Sequence, residues 1–408
     1  MEALIYNTEM NPNAQQTDSL PVPHADALAQ SEALIDLIRE RIALAGGWLP
    51  FDRYMELALY APGLGYYSGG AMKFGRHAED GSDFVTAPEL SPLFAKTLAR
   101  PVAQALERTG TRRVMEFGAG TGKLAAGLLN TLGAGIDRYE IVDLSGELRE
   151  RQKETIGKDT PEFASKVVWL SELPAAFEGV VVGNEVLDAM PVRLVVRKLG
   201  AWHERGVVVF DDCFIFDDRP IFMDTQVELI DVAIDKVNDD EPFAEYLTEM
   251  HEAALAFTKT VCTMLTRGAA FFIDYGFPRC EFYHAQRVTG TLMCHYRHRS
   301  HPDPFVYPGL QDITAHVEFT GIAEAGTETG ADLLGFTSQA RFLMNAGTTE
   351  VLDELDPADV RRFLPTANAV QKLLSEAEMG ELFKVIAFSR GLPDTLEAFA
   401  AGDRSHTL

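Results

Sequence analysis

Apolar positions along the chain follow a helical period first. Leu34, Ile35, Leu37, Ile38, Ile42 and Ala43 predict a helix from Ser31, and 51–60 continues as an amphipathic segment before the breakers Pro62 and Gly63. Another helix is expected from Pro92 through Ala99. Past residue 110 the pattern changes to short apolar runs. Those at 114–117, 139–142, 167–170, 180–183 and 270–274 predict parallel strands buried on both faces, separated by helices or inserts. Alternation through 192–216 around Trp202 predicts antiparallel strands of an insertion, and 382–388 a final strand. The polar, aperiodic residues 1–30 read as a disordered tail. The expected organisation is therefore that tail, a helical N-terminal cap and lid over 31–108, and an α/β core over 109–408 with insertions at about 192–262 and about 277–330.

The first core strand breaks into three alternate glycines, Glu116-Phe117-Gly118-Ala119-Gly120-Thr121-Gly122, and a helical pattern resumes at Lys123. A bare turn between strand and helix lets a nucleotide-like ligand approach the helix N-terminus, where backbone N–H groups face outward. The dinucleotide fingerprint G-x-G-x-x-G fails here, because its sixth position is Lys123. Glu116 instead offers a carboxylate at the strand end, which repels a diphosphate and suits the sulfonium and ammonium of S-adenosylmethionine (SAM). Asp143 follows the next strand about 20 residues past the turn, where an acid accepts ribose hydroxyls. Glu116, Gly118, Gly120, Gly122 and Asp143 are thus the expected cofactor residues.

The carboxyl ends of such strands carry the chemistry, and the fourth strand delivers Asn184, Glu185 and then Asp188 there. Asn184 joins the cofactor set. Glu185 either meets substrate or holds the methionine end of SAM or a neighbouring loop, and Asp188 either shares the substrate role or caps a helix. Asp274 and Tyr275 end a strand and are expected to face the site. Gly65, Tyr66 and Tyr67 read as a lid over the cofactor, the alternative being an ordered loop with core tyrosines. Asp83, Thr86 and Glu89 are expected to line the entrance, with helix capping as the alternative for this block.

Three blocks, Leu59-Tyr60-Ala61-Pro62-Gly63-Leu64-Gly65-Tyr66-Tyr67, Gly81-Ser82-Asp83-Phe84-Val85-Thr86-Ala87-Pro88-Glu89 and Gly183-Asn184-Glu185-Val186-Leu187-Asp188-Ala189-Met190-Pro191, resemble signature blocks of the MidA family. Ile273-Asp274-Tyr275-Gly276, Gly290-Thr291-Leu292 with Tyr296-Arg297-His298-Arg299, and the run from Asp312 to Phe319 continue the likeness, which spans about residues 31 to 390. The resemblance implies a Rossmann-like, class I SAM-dependent methyltransferase sheet. The family's mitochondrial branch is associated with arginine methylation during assembly of respiratory complex I. One departure is Asp143, where the family more often has Glu; a shorter carboxylate still accepts ribose hydroxyls. For an arginine substrate, a bidentate carboxylate both orients the guanidinium and favours one nitrogen, which makes Glu185 and Asp188 the candidate catalytic pair. The alternative function is a SAM-binding assembly factor or chaperone for a partner subunit, with little turnover.

Composition narrows the partners. A formal charge of -25 opposes nucleic-acid phosphates, so no nucleic-acid substrate is expected; the family resemblance implies a protein substrate, a respiratory complex subunit among the candidates. Residues 211–250 hold 13 Asp or Glu against Arg219 and Lys236, a solvated insert rather than a docking surface. No apolar run approaches the ~20 residues of a membrane-spanning helix. The first 30 residues contain no Lys or Arg and read as neither secretory signal nor transit peptide, so a bacterial, cytoplasmic protein is expected. Cys213, Cys262, Cys280 and Cys294 form no C-x-x-C pair. His295, His298 and His301 lack a fourth ligand and are interleaved with Arg297 and Arg299, so no metal is expected and the segment reads as a basic loop on the substrate side.

Overall fold

The computed structural model describes residues 20–69, 86–143, 145–222, 225–235, 245–356 and 358–408. They form two compact units. One takes the described residues of 1–84, 189–251 and 283–315; the other takes those of 85–188, 252–282 and 316–408.

The second unit is built on one sheet. Its strands are β1 (Arg113–Phe117), β2 (Arg138–Val142), β3 (Val167–Leu170), β4 (Phe177–Asn184), β5 (Leu265–Phe277), β6 (Asp332–Ser338) and β7 (Phe383–Arg390). They lie in the order β6-β7-β5-β4-β1-β2-β3, with β1 to β5 parallel and β7 antiparallel to both its neighbours. A two-residue bridge, Val317–Glu318, runs parallel to the end of β5. The chain moves outward from β1 to β3 and then returns to place β4 on the other side of β1. This reversal is the topological switch point at which open α/β sheets leave a crevice beyond the strand ends. Register brings Phe117 beside Val142 and Gly183, and Gly183 beside Phe272, so the ends of β2, β1, β4 and β5 are adjacent.

Helices cover both faces, which explains why the central strands read as unbroken apolar runs. Helix α1 (Pro92–Thr109) starts with the Ser91 side chain accepting the Leu93 N–H and ends at left-handed Gly110. With α2 (Lys123–Leu132) it buries Phe94, Leu98, Val102, Leu124 and Leu128 in the same core as Val180, Val182, Phe271 and Ile273. Phe272, between the last two, points the other way, where Phe257 of α4 (Glu252–Met264) meets it with ring centroids 5.8 Å apart. Between them in the chain, α3 (Gly146–Asp159) follows β2 and buries Gln152 and Ile156. A further helix, α5 (Phe319–Thr327), packs with α4, and its Phe319 meets Phe336 of β6 at 5.2 Å.

In the first unit, helix Ala25–Leu44 buries Leu34, Ile38 and Ile42 at a four-residue spacing, and helix Phe51–Tyr60 buries Phe51, Tyr54, Met55, Ala58 and Leu59. They share a core with Val192 and with Leu194 and Val207 of an antiparallel sheet formed by Leu49–Pro50, Arg193–Lys198, Ala201–Phe210, Cys213–Pro220 and Glu245–Met250. Met293–Tyr296, Arg299–His301 and Asp312–Thr314 make a small second sheet.

Several boundaries differ from those expected. The first helix starts at Ala25, inside the span read as tail, because the polar stretch there is alanine-rich and alanine is the best helix former. Residues 92–109 belong with the sheet unit rather than the N-terminal cap, since their apolar face packs on β4 and β5. The first insertion stops at His251, because α4 carries Phe257 onto Phe117 and Phe272. The second spans 283–315, as α5 returns to the sheet.

Candidate active site

The glycine turn leaves the end of β1 and enters α2. Gly118, Gly120 and Gly122 have φ of 64°, 52° and 83°, a region in which only glycine is unstrained. Around Gly118 and Gly122 the space is also filled: a Cβ would stand 3.1 Å from Val186 Cγ2 and 3.1 Å from Gln152 Cα respectively. Gly120 is different. Among the described residues no atom lies within 4 Å of where its Cβ would be, so they leave the backbone there bare and open to close approach by a ligand. Thr121 donates its hydroxyl to Glu89, tying the turn to the short helix Ala87–Leu90.

Glu116 sits on the same face of β1 as Val114, at 2% exposure. The Tyr139 hydroxyl of β2 donates to its Oε2. Burial pushes its carboxyl pKa up to about 8, opposed by the Tyr139 bond and reinforced by the charge of Asp143. A cation placed beside such a buried acid favours its charged form. Asp143, just past β2, accepts the Ser145 N–H at 3.0 Å and the Gln152 amide at 2.7 Å. Glu116, the glycine turn and Asp143 thus lie at the ends of the neighbouring strands β1 and β2.

The end of β4 supplies the other half. Asn184 is buried and its Nδ2 donates to Glu185 Oε1 at 2.9 Å. Glu185 holds φ at 54°, a strained value for a non-glycine residue, while its N–H bonds to Ile273 O at 2.9 Å. The loop after it wraps a carboxylate: Asp274 Oδ2 accepts the N–H groups of Val186, Leu187 and Asp188 at 3.1, 2.9 and 3.3 Å, and Oδ1 accepts that of Tyr275 at 3.0 Å. The Tyr275 hydroxyl then donates to Asp188 Oδ2 at 2.6 Å. Three acids, two just past β4 and one on the neighbouring β5, therefore crowd together. Burial, and then the charge of Asp188, push the Glu185 carboxyl up to about 8; burial, Asp188 and Glu185 raise that of Asp274, against the backbone donors that favour its charged form. Such a cluster accepts a cation far better than an anion.

Other expected residues fall elsewhere. Thr86 occupies the N-cap position of Ala87–Leu90 without a side-chain capping bond, and the Ala87 N–H reaches Glu185. Asp83 lies outside the described residues. The 65–67 segment does not stand out as an open flap: a Cβ on Gly65 would be 2.6 Å from Ala61 N, Tyr66 is 1% exposed, and the Tyr67 hydroxyl donates to Asp312 Oδ1 at 2.9 Å. Tyr66 belongs to the first unit's own core and half-buried Tyr67 packs against it, because the glycine packs the turn tightly on the preceding helix. The basic loop is also altered. Arg297 and His298 form its tip at positive φ, whereas burial holds the pKa values of His295 and His301 below the ordinary histidine value. Among the described residues no group of His, Cys, Asp and Glu has the arrangement of a metal site. No helix among them is long and apolar enough to cross a membrane.

Three contributors were missed by sequence reasoning: Gln152, Trp169, and the Glu89 contact to Thr121. For Gln152 the available signal was its position four residues before Ile156 on an otherwise polar helix, which places both on the buried face.

Residues 97–337 match the model of a family described as "Putative S-adenosyl-L-methionine-dependent methyltransferase". The chain belongs to this family. Its cofactor is SAM. A crystal structure of a "likely methyl transferase" from Burkholderia thailandensis, bound to S-adenosyl-homocysteine, is 68% identical, with a TM-score of 0.91 over 96% of this chain and 100% of the other. Among more distant relatives, a Drosophila melanogaster protein named protein arginine methyltransferase NDUFAF7 homolog, mitochondrial, is 25% identical over 95% of this chain and 93% of its own length. The Xenopus tropicalis protein arginine methyltransferase NDUFAF7, mitochondrial, is 26% identical over 88% and 86%.

Proposed function

We propose that this family member methylates an arginine of a protein substrate on a class I, Rossmann-like sheet. The observation that carries the reading is the Glu185, Asp188 and Asp274 cluster, held by a strained loop at the switch point next to the glycine turn. The names of the NDUFAF7 relatives support the same substrate class. SAM, when bound, supplies a methyl group on a sulfonium with a good leaving group. The open backbone of Gly120 and the carboxylates of Glu116 and Asp143 hold it, the first acid for its cationic end and the second for its ribose.

Substrate handling falls to β4. A guanidinium is protonated at neutral pH, and its parallel N–H groups match paired carboxylate oxygens. Glu185 and Asp188 grip it, Asn184 fixes Glu185 Oε1, and Tyr275 fixes Asp188 Oδ2. The bound guanidinium favours the charged form of Glu185, and a carboxylate whose pKa burial has raised accepts the proton shed by the methylated nitrogen better than an ordinary glutamate does. We place the reaction in the bacterial cytoplasm, on the composition of the first 30 residues, and take a respiratory complex subunit as partner, as the family resemblance implies.

Mass spectrometry of methyl-arginine peptides from cells with and without the protein tests this reading. It predicts reproducible loss of at least one such peptide. A loss confined to methyl-lysine or to a methylated small molecule would overturn the arginine assignment.

A further inference from the structure

One fully buried side chain bridges the two halves of the cofactor site. Gln152 on α3 is 0% exposed. Its Nε2 donates to the backbone oxygen of Gly120 at 3.1 Å and to Asp143 Oδ2 at 2.7 Å, and its Oε1 accepts the Trp169 indole N–H at 2.8 Å. The direction of the amide is forced by its partners. An indole N–H only donates, and a carbonyl and a carboxylate only accept, so the reversed amide would oppose like groups at all three contacts. A Cβ on Gly122 would stand 3.1 Å from the Gln152 Cα, so the turn packs closely on this residue's backbone.

We infer that Gln152 is a positioning residue of the cofactor site, fixing the open Gly120 backbone and the Asp143 carboxylate at one separation and one orientation. The inference rests on the reading of Gly120 and Asp143 as SAM-binding groups. An acid free to rotate would pay an ordering cost each time it met the ribose; bonded to Gln152 through Oδ2 and to the Ser145 N–H through Oδ1, it is set before the ligand arrives. Trp169, at the end of β3, in turn sets the amide.

Two substitutions separate positioning from packing. Q152E keeps shape and the Trp169 acceptor but turns an oxygen toward Asp143 and Gly120, so affinity for S-adenosylhomocysteine, measured by calorimetry, should fall about a hundredfold, the loss of one charge-assisted bond plus the new repulsion. In a D143N background the asparagine amide can donate to the carboxylate that Q152E introduces, and the same change should cost about tenfold or less. Thermal unfolding of each variant checks the fold. Equal losses in the two backgrounds, or none in the first, would overturn the positioning role. If Q152E does not fold, W169F decides: a loss of about threefold or more, at an unchanged melting temperature, is expected as the amide loses its orienting donor, and unchanged affinity overturns the inference. Wild-type protein that binds no S-adenosylhomocysteine would overturn the cofactor reading itself and this role with it, a result distinct from any failure of the variants.

Discussion

Truncating Asp274 to alanine removes the acceptor on which the Glu185–Asp188 loop is wound. Four backbone N–H groups lose their partner, those of Val186, Leu187, Asp188 and Tyr275. Leu187 and Asp188 are buried, so their donors find no water, and each orphaned donor costs about 1–3 kcal/mol. Part of this is returned, because burial disfavours the Asp274 carboxylate and that penalty disappears with the side chain. A net loss of about 2–3 kcal/mol is expected, the lower part of the range. In a unit of this size that lowers the melting temperature by about 4–12 °C. Differential scanning calorimetry of D274A measures it, with D274N as the control: an asparagine oxygen still accepts the three loop N–H groups and should restore at least half the loss. D274A melting within about 1 °C of wild type would refute the argument that this carboxylate holds the loop.

Other consequences are as direct. Gly120→Val forces a β-branched residue to φ near 52° and fills the open side of the turn, so S-adenosylhomocysteine binding should vanish in calorimetry while far-UV circular dichroism stays native; retained binding would place the cofactor elsewhere. Glu116 and Glu185 have folded pKa values raised from 4.5 to about 8, so the folded state keeps protons that the unfolded chain has lost. Their contribution is therefore most favourable below pH 4.5 and declines as pH rises to about 8; the fall in melting temperature from pH 5 to 8.5 should be shallower in E185Q, and an equal or steeper fall contradicts the assignment. Tyr139→Phe removes the hydrogen bond to Glu116 and should cost about 1–3 kcal/mol by denaturant unfolding, more at pH 9 than at pH 6, where the acid keeps its proton.

The sheet was legible because its strands are buried on both faces, so β1, β2, β4 and β5 appear as apolar runs between polar segments. The glycine turn and Asp143 were legible because they are local: a turn and the next strand end, within one βαβ unit. What depends on distant partners was not. Asp274 could be placed at a strand end, but its role as the anchor of a loop 86 to 88 residues earlier in the chain appears only with β5 beside β4. The tyrosines at 66 and 67 looked like a lid because an aromatic, glycine-rich run has the same composition as a loop and as a tight turn; the space around Gly65 distinguishes them. Gln152 sits in a helix of low apolar content, where only the pairing with Ile156 betrays a buried face. The boundaries at 251 and 315 were hidden for another reason: the apolar faces of α4 and α5 do not by themselves name their partners, and Phe257 and Phe319 decide by meeting Phe272 and Phe336.

The central claim, that Glu185 and Asp188 hold a substrate guanidinium rather than the cofactor, is tested most directly by comparing S-adenosylhomocysteine affinity and turnover in E185Q. The substitution preserves size and removes charge. Loss of one charge-assisted bond, about 1.5–3 kcal/mol, corresponds to roughly ten- to a hundredfold in turnover on the identified protein substrate, with affinity for S-adenosylhomocysteine within about twofold of wild type. Asp188→Asn should show the same split. If E185Q instead lowers that affinity in proportion to turnover, Glu185 belongs to the cofactor pocket, and the pairing with Asp188 as a guanidinium clamp is wrong.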